Sequence, residues 1–150
     1  LTDQQLSPPL KQFRNKVRAL YRPSILNAID KAAQRVCTVL IVTASPTFAI
    51  APCTSELPVS VLGTEFDKIE SIYSGHLHGE NCYGYEKVNR LYQWAKSNNS
   101  QLNVESAWSD HFSDLDMLKL SKDRNWIGGD ELRKLMMDRD PLGNFVSSEL

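Results

Sequence analysis

Hydrophobic and polar positions divide the chain into short alternating blocks. Val36-Cys37-Thr38-Val39-Leu40-Ile41-Val42 is an almost continuous apolar, β-branched run. Such a run predicts a central strand of a parallel sheet, covered on both faces. It ends in the small residues Thr43-Ala44-Ser45-Pro46. Before it, Phe13, Val17 and Leu20 recur at helical spacing and predict a helix from Leu10 to Leu20. Leu1 to Pro9 reads as an irregular lead-in closed by Pro8-Pro9. Pro23 suits the first turn of a second helix, whose apolar face is Ile25, Leu26, Ile29, Ala32 and Ala33.

Past Pro46 the pattern predicts a helix from Thr47 to Glu56, limited by Pro52, and a strand from Val59 to Phe66 with Ile69 to Ser74 as its extended partner. A glycine-punctuated loop from Gly75 runs into a helix that reaches Lys96. Val104 to Trp108 is a further strand, Leu115 to Leu120 the packed face of a helix, and Asn125 to Gly128 a short last strand. Gly128-Gly129 then turns into an Asp130-capped helix through Met137, and Asp140-Pro141-Leu142-Gly143 is a turn. The tail after Asn144 is expected to be loose.

Strands alternating with helices predict a three-layer α/β domain with a mostly parallel sheet, and ligands bind such sheets at the carboxyl ends of the strands. A length of 150 residues fits one domain, 1–150, with a normal core. A formal charge of −1 leaves no basic stripe for nucleic acid. Lys11, Arg14, Lys16, Arg18 and Arg22 do cluster, and a solvated helix face is the preferred account over an anion surface. Three widely spaced cysteines, Cys37, Cys53 and Cys82, suit neither a disulfide framework nor zinc and point to a reducing cytoplasm. His76 and His78 belong to a surface turn, and no apolar run is long enough to span a membrane.

Three places carry candidate chemistry. Asp110, at the end of the Val104 strand, and Asp114, at the start of the next helix, offer hard oxygens to a divalent cation such as Mg²⁺; Asp114 or Ser113 serves equally as a helix cap. Thr43 can donate a hydrogen bond to an anionic oxygen at a strand end, or be satisfied by its own backbone. Lys87, in the first turn of its helix, can meet a phosphate as a compact charge or remain a solvated lysine.

Thr43-Ala44-Ser45-Pro46, Gly79-x-x-Cys82-x-Gly84-x-x-Lys87 and Ser109-Asp110-x-x-x-Asp114-Leu115-x-Met117-Leu118 stand in the order of three signatures of one superfamily. The chain resembles the haloacid dehalogenase-like hydrolases, above all their phosphoserine-phosphatase-like branch, from about Tyr21 to Trp126. The resemblance implies a Rossmann-like fold and an Mg²⁺-dependent phosphatase acting on a small phosphorylated substrate, with no nucleic acid or membrane partner. It implies catalytic roles for Thr43, Lys87 and Asp114, substrate binding by Thr43, Ala44, Ser45 and Lys87, and metal binding by Asp110 and Asp114.

The family's first motif, Asp-x-Asp-x-Thr, whose leading aspartate attacks phosphorus, occurs nowhere in the 150 residues. Leu1-Thr2 resembles what often follows that motif, and only 42 residues precede Thr43, so the helical cap is expected to be absent or reduced. The chain is then expected either to be a fragment without its first strand, inactive as given, or to be a catalytically dead phosphate- or metal-binding regulatory or interaction domain. Loss of a central strand would also favour self-association.

Overall fold

The computed structural model describes residues 1–147. The chain forms two compact units, Leu1–Cys82 and Tyr83 onward. In the first, α1 (Asp3–Arg18) and α2 (Pro23–Gln34) precede β1 (Leu40–Pro46), α3 (Thr47–Ile50), β2 (Ser60–Thr64), β3 (Phe66–Ile69) and β4 (Ile72–Leu77). The expected lead-in is helix almost from its start. Thr2 and Gln5 form a capping box: Thr2 Oγ1 accepts from the Gln5 N–H at 3.2 Å, and Gln5 Oε1 accepts from the Thr2 N–H at 2.9 Å. Pro8 and Pro9 lie inside α1, where they forfeit bonds to the carbonyls of Gln4 and Gln5. All four residues are exposed, so water can take the freed carbonyls.

Helix α2 opens on Pro23 as expected and closes in a Schellman turn. The Cys37 N–H donates to Ala32 O at 2.9 Å and the Val36 N–H to Ala33 O at 3.0 Å, with Val36 at φ +58°. This turn consumes the first residues of the apolar run, so the strand starts at Leu40, not at Val36, and carries on through Thr43-Ala44-Ser45-Pro46. β1 pairs in parallel with β2, Leu40 opposite Ser60 through Val42 opposite Leu62. The register then shifts before Pro46 meets Thr64, which places Thr43 to Ser45 in an irregular strand end. The expected helix after Pro46 is a single turn. The expected strand from Val59 to Phe66 is broken at Glu65, and β3 and β4 make an antiparallel hairpin turning on Glu70 and Ser71, both at positive φ.

The second unit holds α4 (Glu86–Ser97), β5 (Val104–Ser109), a 3₁₀ turn (Phe112–Asp114), α5 (Leu115–Leu118), β6 (Ser121–Gly128), α6 (Asp130–Met137) and β7 (Asn144–Ser147). The three strands are parallel in the order β5-β6-β7. Val88, Leu91 and Ala95 of α4, Met117 and Leu118 of α5, Trp126 and Ile127 of β6, and Met136 of α6 are its buried apolar residues. The tail expected to be loose is instead strand β7 from Asn144 to Ser147; its residues 148–150 lie outside the described residues. The turn at Asp140 aims it back along β6, where its backbone groups gain a ladder. Asp140, 1% exposed, accepts from Trp126 Nε1 at 2.9 Å and pairs with Arg124 at 2.8 Å. Gly129, not Asp130, holds the cap position of α6, with no side-chain cap bond.

Both units therefore combine helices with parallel strand pairing, the mixed α/β class the sequence predicts. Among the described residues no helix is long and apolar enough to cross a membrane.

Candidate functional site

In the second unit, α4 begins just after Gly84, which sits at φ +56°, and carries Lys87 inward from its first turn. Lys87 is only 8% exposed. An ammonium withdrawn from water needs a counter-charge, and Lys87 Nζ finds Asp114 Oδ1 at 2.6 Å. The other carboxylate oxygen, Oδ2, accepts from the Ser109 hydroxyl at 2.7 Å. Ser109 Oγ in turn accepts from the His111 N–H at 3.1 Å, which closes the chain tightly behind the last residue of β5. Lys87, Ser109 and Asp114 are thus one buried network spanning a helix start, a strand end and a 3₁₀ turn. Among the described residues the other two ammonium hydrogens of Lys87 have no partner, so they can meet an anionic oxygen.

The capping role weighed for Asp114 and Ser113 belongs to His111. Its ring Nδ1 accepts from the Ser113 N–H at 3.3 Å and lies 2.8 Å from Ser113 Oγ. Asp114 makes no cap bond because both its oxygens are directed to Lys87 and Ser109. Asp110 follows directly on β5 and is exposed. Among the described residues no three or more His, Cys, Asp or Glu side chains converge as a metal cage. The two expected oxygen ligands differ in setting: Asp110 is exposed, while Asp114 is buried with its oxygens already engaged by Lys87 and Ser109. Their number fits Mg²⁺, which usually takes one or two carboxylates and keeps several waters.

In the first unit, Thr43, Ala44 and Ser45 lie together where the β1 register shifts. Thr43 Oγ1 accepts from the Ser45 N–H at 3.1 Å, as the backbone alternative for this residue anticipates. That bond uses a lone pair and leaves the hydroxyl proton available to an anionic acceptor. His76 and His78 are on the exposed hairpin, where His78 pairs with Asp67 at 2.9 Å.

Two supporting residues went unrecognised in the sequence. Thr64, 3% exposed, contacts Ala44 O at 2.7 Å and accepts from the Cys82 N–H at 3.0 Å, tying the irregular end of β1 to the 81–82 loop. Gly63 lets β1 come close: a Cβ there would stand 2.7 Å from Ser45 O and from Thr47 Oγ1. The one available signal is a lone glycine within a strand pattern, which marks close backbone approach.

A family model described as haloacid dehalogenase-like hydrolase matches residues 2–119. A protein of unknown function from Bordetella pertussis Tohama I is similar in structure, with a TM-score of 0.84 and 19% identity, over 97% of this chain and 67% of that one. An unliganded probable phosphoserine phosphatase from Vibrio cholerae has a TM-score of 0.64 and 14% identity, over 88% of this chain and 40% of that one. No curated protein matches the chain. At these identities the likeness to the two structures concerns the Rossmann-like fold. The family match, by contrast, runs through Thr43, Lys87, Asp110 and Asp114, and places this chain in the haloacid dehalogenase-like hydrolase family.

Proposed function

We propose that the chain is an Mg²⁺-assisted phosphomonoester-binding part of a phosphatase, acting on a small phosphorylated molecule in the cytoplasm. The observation that carries this is the buried Lys87–Asp114–Ser109 network, which holds one lysine ammonium fixed and partly unspent. Lys87 would balance the charge of a phosphoryl group as a point cation, and Asp114 would hold it in place. Within the first unit taken by itself, the Thr43 hydroxyl keeps a proton that suits it to donate to an anionic oxygen at its own strand end, beside Ala44 and Ser45. Asp110 and Asp114 would hold the metal, which when bound supplies further positive charge to phosphoryl oxygens. None of the 150 residues forms Asp-x-Asp-x-Thr, so these residues on their own are expected to bind phosphate without turning over an ester.

The missing motif also favours a second reading, a regulatory domain that binds phosphate or metal and performs no chemistry. The test is titration with inorganic phosphate and Mg²⁺, followed by calorimetry, with hydrolysis of a generic aryl phosphate assayed in parallel. Saturable phosphate binding, strengthened by Mg²⁺ in wild type but not in Asp110→Asn and weakened in Lys87→Gln, is the expected result. Absence of phosphate binding would defeat the phosphatase reading, absence of both phosphate and Mg²⁺ binding would defeat the regulatory one as well, and hydrolysis lost in Asp110→Asn would show that the nucleophile lies within these residues. Turnover restored when an Asp-x-Asp-x-Thr strand precedes Leu1 would favour the phosphatase over the regulatory domain.

A further inference from the structure

Helix α1 presents Asp3, Leu6, Ser7, Leu10, Lys11 and Arg14 along one face, at the three- and four-residue spacing that aligns side chains. That face is not packed shut: α1 has no fully buried residue, and between it and Phe48, Pro52 and Tyr73 runs a groove of about 410 Å³. The volume falls in the range of small-molecule sites. Its floor is aromatic, with Phe48 and Tyr73 ring centres 4.6 Å apart and Phe66 edge-on to Phe48 at 5.8 Å.

The charges in this groove do not cancel. At one end the Asp3 carboxylate is bonded by Lys68 Nζ at 2.7 and 2.9 Å, and Lys68 also lies 4.9 Å above the Tyr73 ring. At the other end Lys11 and Arg14 have no ion-pair partner among the described residues. Arg14 Nε is also shut off from solvent without an acceptor, although nearby Arg18 is paired with Glu56 at 2.8 Å. A guanidinium with one sequestered, unpaired N–H is left without a counter-charge, and an oxyanion meeting its outer nitrogens from the groove would supply one. With a rise of about 1.5 Å per residue, the two ends stand roughly 16 Å apart along the helix, with Leu6 and Leu10 between them.

We propose that this groove binds a small amphiphilic anion, its carboxylate or phosphate head against Lys11 and Arg14 and its apolar body over Leu10, Leu6, Phe48 and Tyr73. The cluster of basic residues in α1 is on this account divided: Lys11 and Arg14 serve a ligand, and Arg18 serves the fold. The site lies wholly within the first unit and does not depend on the phosphoryl chemistry proposed for Lys87.

The test is titration of the whole chain with octanoate, octyl phosphate, octanol and inorganic phosphate, followed by amide shifts of α1 and β4. Saturable binding of at least one octyl anion, with octanol and inorganic phosphate each weaker by roughly tenfold or more, is expected; whichever anion binds tighter identifies the preferred head. Arg14→Gln should weaken the anion roughly tenfold and leave octanol unchanged, since one charge-assisted contact is lost. Lys87→Gln should leave octanoate binding intact, which separates this site from any phosphate site at that lysine. Equal binding of octanol and the anions, an Arg14→Gln variant that folds with unchanged affinity, or no saturable binding would overturn the proposal. So would a dimer dissociated by Leu10→Glu without anion binding, which would assign the groove to a second copy of the chain.

Discussion

Lys87 Nζ and Asp114 Oδ1 meet at 2.6 Å with both side chains nearly excluded from water. A pair of this kind contributes little net stability when intact, but breaking it strands one charge. Lys87→Met or Asp114→Leu alone should each cost about 3–5 kcal/mol. The double variant should cost less than either single change, because no charge is left behind. Urea unfolding of the four proteins checks this, and simple additivity of the two single effects would show that the residues act independently.

Gly63→Ala should destabilise the first unit by about 1–3 kcal/mol, since its Cβ would meet backbone at Ser45 and the Thr47 hydroxyl at 2.7 Å. Gly129→Ala is the control, because a Cβ there meets nothing within 4 Å. Thermal unfolding together with amide shifts from Thr43 to Thr47 should separate the two. Equal melting temperatures would mean that β1 yields without cost.

Val36→Gly should stabilise the chain by about 1 kcal/mol. A β-branched residue pays to sit at positive φ, and Val36 is 93% exposed, so little packing is lost with its side chain. Asn99 closes α4 in the same turn, with the Ser100 N–H donating to Ala95 O at 3.0 Å, but asparagine tolerates that conformation. Asn99→Gly should therefore gain less, and denaturant midpoints of the two variants decide the order.

The alternation of apolar blocks was enough to predict an α/β chain with parallel strands, and residue order alone singled out Thr43, Lys87, Asp110 and Asp114. Local chemistry misled in both directions at the ends of elements. Pro8-Pro9 argued against a helix that the Thr2–Gln5 box nonetheless starts, and β-branched Val36 argued for a strand where the α2 turn needed a left-handed residue. Long-range partners were not legible. Nothing around Ser109 announces that its hydroxyl orients Asp114, and nothing around Gly63 names Ser45 as the group it must clear.

Strand β6 is the middle of its sheet, laddered to β5 on one side and β7 on the other, and Trp126 at its centre is wholly enclosed. Its backbone N–H groups from Asn125 to Ile127 have no fraying edge through which to reach water. Their hydrogen exchange with deuterated solvent should then proceed only when the second unit opens as a whole, slower than that of any amide in β7. The clasp of Trp126, Asp140 and Arg124 thereby acts on time as well as on shape: it sets how long this unit stays closed between openings.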